Sequence, residues 1–241
     1  MTDLAVYYLQ EMQMVPSYPI YPEGTTKRLL ATDLVTAKTR EVLKARIAAH
    51  EKRDNPEPHF FSTAEFKTLQ AVCARLIPQP DREHPIDLAG GIDQRLAAGK
   101  TNGWRYDTMP PDGEAFRRAL RGLDETARAM SNDGLEHRFE MISDSAKDAV
   151  LKAVQRGDAT GAAWQTMPSM RWFEELLTEL ASSYYSHAVA QDEIGFAGYA
   201  DAHGWQRIGL NELESFEPRP MNAGQDDELA EVRAGDTSDE R

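Results

Sequence analysis

Apolar residues recur along this chain at intervals of three and four, most regularly at Phe66, Leu69, Val72, Cys73, Leu76 and Ile77. That spacing puts all six on one face of a helix. Ser62-Thr63-Ala64-Glu65 in front of the run has the form of a capping box, with Phe61 and Phe66 flanking it as a hydrophobic staple, and Pro78 ends it. Ile86, Leu88, Ile92 and Leu96 predict a second helix within Pro85 to Leu96, weakened by Gly90-Gly91. Phe116, Leu120, Leu123 and Ala127 mark a third, with Arg117, Arg118 and Arg121 on its wet side. A capping box at Ser145 to Asp148 opens a fourth through Ala149, Val150, Leu151 and Val154, stopped by Gly157. Trp172, Phe173, Leu176, Leu177 and Leu180 form a dense stripe for a fifth, central helix reaching Tyr185.

The same pattern thins toward the ends. Lys27 to Lys52 carries Leu30, Leu34, Val35, Val42 and Ile47 among many charges, which predicts one surface helix, broken by Asn55-Pro56-Glu57-Pro58. Before it, Val15 to Pro22 holds three prolines and two tyrosines and reads as an extended aromatic arm. No stretch alternates apolar and polar residues with strong β-formers, so the expected fold is all-α. It is a compact domain of about five helices over residues 59–220, preceded by an arm and surface helix over 1–58. The acidic tail, 221–241, is too poor in apolar residues to offset its ordering entropy, and disorder is expected there.

Charge narrows the choice of partner. The 241 residues hold 27 Lys and Arg against 40 Asp and Glu, a net charge of -13, and such a surface repels nucleic acid and anionic lipid. No apolar run approaches the roughly 20 residues that cross a bilayer, so no direct membrane insertion is expected. Met1 to Val15 lacks a basic leader, and Lys27-Arg28 lies too deep for a twin-arginine signal, which favours the cytoplasm, or the periplasm if the chain is exported with a partner.

Each catalytic constellation can be sought in turn. Cys73 is the single cysteine, set on an apolar helix face, and reads as a structural thiol. His50, His59, His84 and His137 lack the spacing of a helical zinc pair. His187 with Asp192 or Glu193 leaves open a metal- or base-dependent enzyme. Gly195-Phe196-Ala197-Gly198 follows no strand and lacks a third glycine, so it reads as a turn with unusual dihedrals or a close backbone approach. Catalytic, metal and cofactor residues are therefore assigned to none. The aromatic segments around Trp104-Arg105-Tyr106 and from Tyr184 to Trp205 are too apolar for idle connections.

In order along the chain, Phe60-Phe61 before the capped helix, Leu76-Ile77-Pro78-Gln79-Pro80-Asp81, Pro85-Ile86-Asp87-Leu88, Asp107-Thr108-Met109-Pro110-Pro111, Tyr184-Tyr185-Ser186-His187, Asp192 to Gly198, Gly204-Trp205 and Arg207-Ile208-Gly209 resemble the gluconate 2-dehydrogenase small subunit (subunit 3) family. The likeness covers about Phe60 to Pro218 and rests on the order of the motifs. It implies a non-catalytic helical subunit that stabilises or matures a large glucose-methanol-choline type flavoprotein. FAD would sit in that partner, which oxidises sugars, sugar acids or other alcohols, in a heterodimer or higher hetero-oligomer. On that view the docking residues are Trp104, Arg105, Tyr106, Tyr184, Tyr185, His187, Glu193, Gly195, Phe196, Gly198 and Trp205. Against the family pattern, Ala202-His203-Gly204-Trp205 replaces a Pro-Arg-Gly-aromatic turn, leaving His203 where an arginine is expected. A transient chaperone or adaptor of the flavoprotein is the remaining alternative.

Overall fold

The computed structural model describes residues 20–51, 57–80, 82–101, 106–131 and 138–221. Among them are eight α-helices and no strand. The Asn55-Pro56 break, most of the Val15–Pro22 arm, Trp104, Arg105, His137 and the tail from Asn222 lie outside the described residues. The chain divides into two compact units, Ala49–His187, and Met1–Ala48 with Ala188–Arg241.

The Ala49–His187 unit contains the five helices that periodicity predicts. They are α3 (Thr63–Leu76), α4 (Leu88–Ala97), α5 (Asp112–Met130), α6 (Asp144–Arg156) and α7 (Ser169–Tyr185). Ser62 caps α3 as its sequence requires: its hydroxyl accepts from the Glu65 amide, and the Glu65 carboxylate accepts from the Ser62 amide at 2.9 Å. Both staple residues, Phe61 and Phe66, are buried. The lead-in to this helix is held from α4, where buried Asp93 accepts from the amides of His59, Phe60 and Phe61 at 2.6, 3.0 and 3.0 Å. Those three donors explain a carboxylate beside Ile92 on an apolar face.

Gly90 does not weaken α4. The Asp87 side chain folds over the first turn to accept from the Gly90 amide at 2.7 Å, and a Cβ on Gly90 would occupy that carboxylate's place. The cap of α6 is Ser143 rather than Ser145, because Asp148, the expected box acid, is taken by Arg75 of α3. That hydrogen-bonded guanidinium also holds the Asp148 carboxyl below its usual range.

In the core, Trp172 stands edge-on to Phe116 and tilted against Trp164, and Leu176 and Leu180 are fully buried below it. Helix α7 is central, as its stripe predicts, although Leu177 falls off the stripe and faces solvent. Arg95 joins three helices, gripping Glu179 of α7 with two hydrogen bonds of 2.7 and 3.0 Å and Asp112 of α5 at 2.8 Å. Arg117 is not merely solvated, since it donates to the Phe60 carbonyl at 2.7 Å and lies over the Phe60 ring.

In the unit formed by the two chain ends, the predicted Lys27–Lys52 helix is instead two, α1 (Thr25–Leu29) and α2 (Ala37–Glu51), and a last short helix, α8 (Ala188–Gln191), follows. The break exists because Leu30 and Val35 both turn into one small core with Leu29, Leu43, Ile47, Ala188, Ala197 and Tyr199, which a single straight helix could not arrange. Val42 is exposed, and Leu43 takes the buried place one residue on.

Candidate functional site

The segment from Asp192 to Glu217 has little regular structure, and its polar groups explain its shape. Helix α1 starts at Gly24 without a side-chain cap of its own. Asp192 supplies one: Oδ2 accepts from the Gly24 amide at 2.9 Å, and Oδ1 accepts from the Thr26 amide at 2.8 Å and the Thr26 hydroxyl at 2.6 Å. The Tyr199 hydroxyl donates in turn to Thr26 Oγ1 at 2.9 Å, and burial pushes that phenol's pKa up. Asp201 does the same for α2, accepting from the Thr36 amide at 2.8 Å and from the hydroxyls of Thr36 and Thr39. The Thr36 amide bond lowers its pKa. Two carboxylates thus stand at two helix N-termini, where unpaired amides and the helix dipole favour negative charge.

Between these caps lies the glycine turn. Gly195 has φ +61°, and the Tyr21 ring packs where its Cβ would be, so both reasons for glycine apply here. The Phe196 ring covers Gly198 and leans on Tyr199 while staying 43% exposed. Glu193 is exposed. Further on, Trp205 meets Phe216 edge-on at 5.1 Å, and His203 faces Asp33 at 3.3 Å.

The remaining candidates belong to the Ala49–His187 unit. Tyr184 is buried, accepts from Arg82 at 3.2 Å and stands edge-on to Tyr185, so of the two only Tyr185, 44% exposed, offers a surface. His187 packs against His50 with ring centroids 4.6 Å apart. His50 and His84 line a cleft of about 660 Å³ whose wall includes Cys73, Ile77 and Pro85. Burial raises the pKa of the Cys73 thiol well above its ordinary value, which keeps it protonated and inert. Tyr106 lies under the Arg171 guanidinium at 3.9 Å, beside a second cleft walled by Arg95, Glu174 and Glu179. Among the described residues no group of three His, Cys, Asp or Glu side chains could hold a metal ion. No described helix is long and apolar enough to cross a membrane.

The family model for gluconate 2-dehydrogenase subunit 3 matches residues 63–209. The chain belongs to the gluconate 2-dehydrogenase subunit 3 family. Comparison with curated proteins and with solved structures found no match. The matched span opens on the first residue of α3, contains all five helices of the Ala49–His187 unit and both capping aspartates, and closes at Gly209.

Within this subunit 3 chain, sequence reasoning did not find the apolar positions that solvent reaches most. Ile208 is 85% and Leu210 94% exposed, with Ile194 and Leu213 partly so. The available signal is local: an Ile-Gly-Leu triplet in a segment with neither helical period nor strand alternation has no face of its own chain to cover it.

Proposed function

We propose that this chain is the non-catalytic small subunit of an oxidoreductase complex, binding and stabilising or maturing a large FAD-dependent dehydrogenase that oxidises sugars, sugar acids or other alcohols. FAD and the hydride chemistry belong to that partner. Membership of the subunit 3 family supports an accessory role. The observation that carries the reading is that an acidic chain leaves Phe196, Trp205, Ile208 and Leu210 open to water in one short stretch. Aromatic and aliphatic anchors of this kind supply most of the binding energy at protein interfaces.

The first alternative, a metal or base centre at His187 with Asp192 or Glu193, loses support from the geometry at His187 and Asp192. Both Asp192 oxygens are committed to the start of α1, and the His187 ring is packed on His50. Co-expression with a candidate glucose-methanol-choline type flavoprotein tests the proposal, with flavin absorbance followed through size-exclusion chromatography. The expected result is one yellow species containing both chains. A colourless, well-folded chain eluting alone would overturn it.

A further inference from the structure

The stretch from Gln206 to Glu214 is a braced loop with an apolar tip. At its base one Glu214 oxygen accepts from the amides of Gln206 and Arg207 at 2.5 and 2.7 Å. Those bonds hold the Glu214 carboxyl below its usual pKa range, the Arg207 amide foremost. The Glu214 amide donates to the Glu217 carboxylate at 2.6 Å, and the Glu217 amide donates back to the Glu214 carbonyl at 3.1 Å. At the tip the Glu212 amide donates to the Gly209 carbonyl at 3.1 Å, and Asn211 takes the left-handed conformation at φ 61° that the turn demands. Next to the loop, Trp205 is pinned on Phe216, which packs on the small core of its unit.

A surface loop with no contact to make normally carries polar residues at its tip, and scattered single apolar side chains need no explanation. Here two branched aliphatics, Ile208 and Leu210, stand nearly free in water on either side of a glycine, with a carboxylate network holding the loop in one shape. Ordering a loop before it binds removes an entropic cost from the binding step. Along the chain from Arg207 to Glu217 the charges are Arg207, Glu212, Glu214 and Glu217, one cation against three carboxylates on a chain of net charge -13.

Resting on the subunit reading above, we infer that the Gln206–Glu214 loop is the anchor of this chain on its flavoprotein, with Ile208 and Leu210 entering an apolar pocket whose rim is basic. The family match reaches Gly209, inside the loop, so the limb carrying Ile208 lies in the segment that defines the family, whose members are subunits of a larger enzyme. The acidic flank answers a basic rim by charge complementarity, which raises the association rate and orients the loop.

The test compares the unaltered chain, the double variant Ile208→Ser/Leu210→Ser and Glu214→Ala, each co-expressed and then titrated against the purified flavoprotein, using flavin fluorescence anisotropy for affinity. Both aliphatic groups are already in solvent, so circular dichroism and melting temperature of the double variant should match the unaltered chain. Its affinity should fall about 100-fold, from two apolar side chains no longer leaving water. Glu214→Ala keeps the tip but frees the loop, and should lose about tenfold. Equal affinity of the double variant and the unaltered chain would overturn the anchor and leave the subunit reading standing. Failure of the unaltered chain to bind flavoprotein would overturn both. Self-association of the chain alone that disappears in the double variant would assign the tip to a second copy and overturn the inference.

Discussion

Replacing Asp192 by Asn tests the claim that the carboxy-terminal segment organises the amino-terminal helices. The side chain keeps its size, and its remaining carbonyl oxygen can still accept from the Thr26 amide and hydroxyl. Its new NH2 then points at the Gly24 amide, now 2.9 Å from Oδ2, so one acceptor becomes a donor facing a donor. Hydrogen bonds to a charged group are worth about 1.5–3 kcal/mol and a charge at a helix start about 0.3–1 kcal/mol. Partial exposure of Asp192 lets water recover some of this, and a net cost of about 2 kcal/mol is expected at α1. That corresponds to an opening equilibrium about 30-fold more favourable. Hydrogen exchange followed by mass spectrometry on peptides covering 24–36 reads it directly, since the amides of Arg28 and Leu30 bond to carbonyls of the same turn. Peptides from α5, in the other unit, serve as an internal reference, and Glu41→Gln, on an exposed position of α2, as a control variant. If the 24–36 peptides of Asp192→Asn exchange within about twofold of the unaltered chain, Asp192 does not hold this helix, and the account of the segment is wrong.

Two further outcomes follow from packing and titration. Gly122→Ala would place a Cβ 2.4 Å from the Trp164 ring, driving off an indole whose Nε1 donates to the Gly122 carbonyl and Thr126 hydroxyl at 3.1 Å each. It should cost about 2–4 kcal/mol, seen as a lower urea midpoint and a red-shifted tryptophan emission. Burial is the leading cause that lowers the His50 pKa below 6.5, with nearby Arg82 and His84 adding to it against Glu51 and a backbone bond at His84. The unfolded chain therefore binds the extra proton first, and folded stability falls as pH drops through about 6.5 toward the folded value. Between about pH 8 and pH 5.5 the urea midpoint of the unaltered chain should fall more than that of His50→Gln. Parallel declines would remove His50 from the pH response.

What the sequence determined by itself is everything carried by neighbours along the chain. The α3 capping box, the Phe61–Phe66 staple, the stripes of α5 and α7 and the glycine stop of α6 all depend on residues within about two turns of one another, and local periodicity reports such contacts faithfully. Family membership was legible for the same reason, as an ordered string of short motifs. Tertiary structure decided the rest. Asp192 reads in the sequence as a potential metal ligand or base, and only the fold brings it to amides 166 and 168 positions away. Asp93 looks like a misplaced charge until the His59–Phe61 amides arrive, and Tyr184 looks as available as Tyr185 until the core covers it. The exposed tip at Ile208 and Leu210 could not be read from composition, because apolar residues are ordinarily evidence of burial. Whether a given one is buried depends on which distant backbone and side-chain groups reach it first, and a hydrogen-bonded loop base at Glu214 kept these two in water.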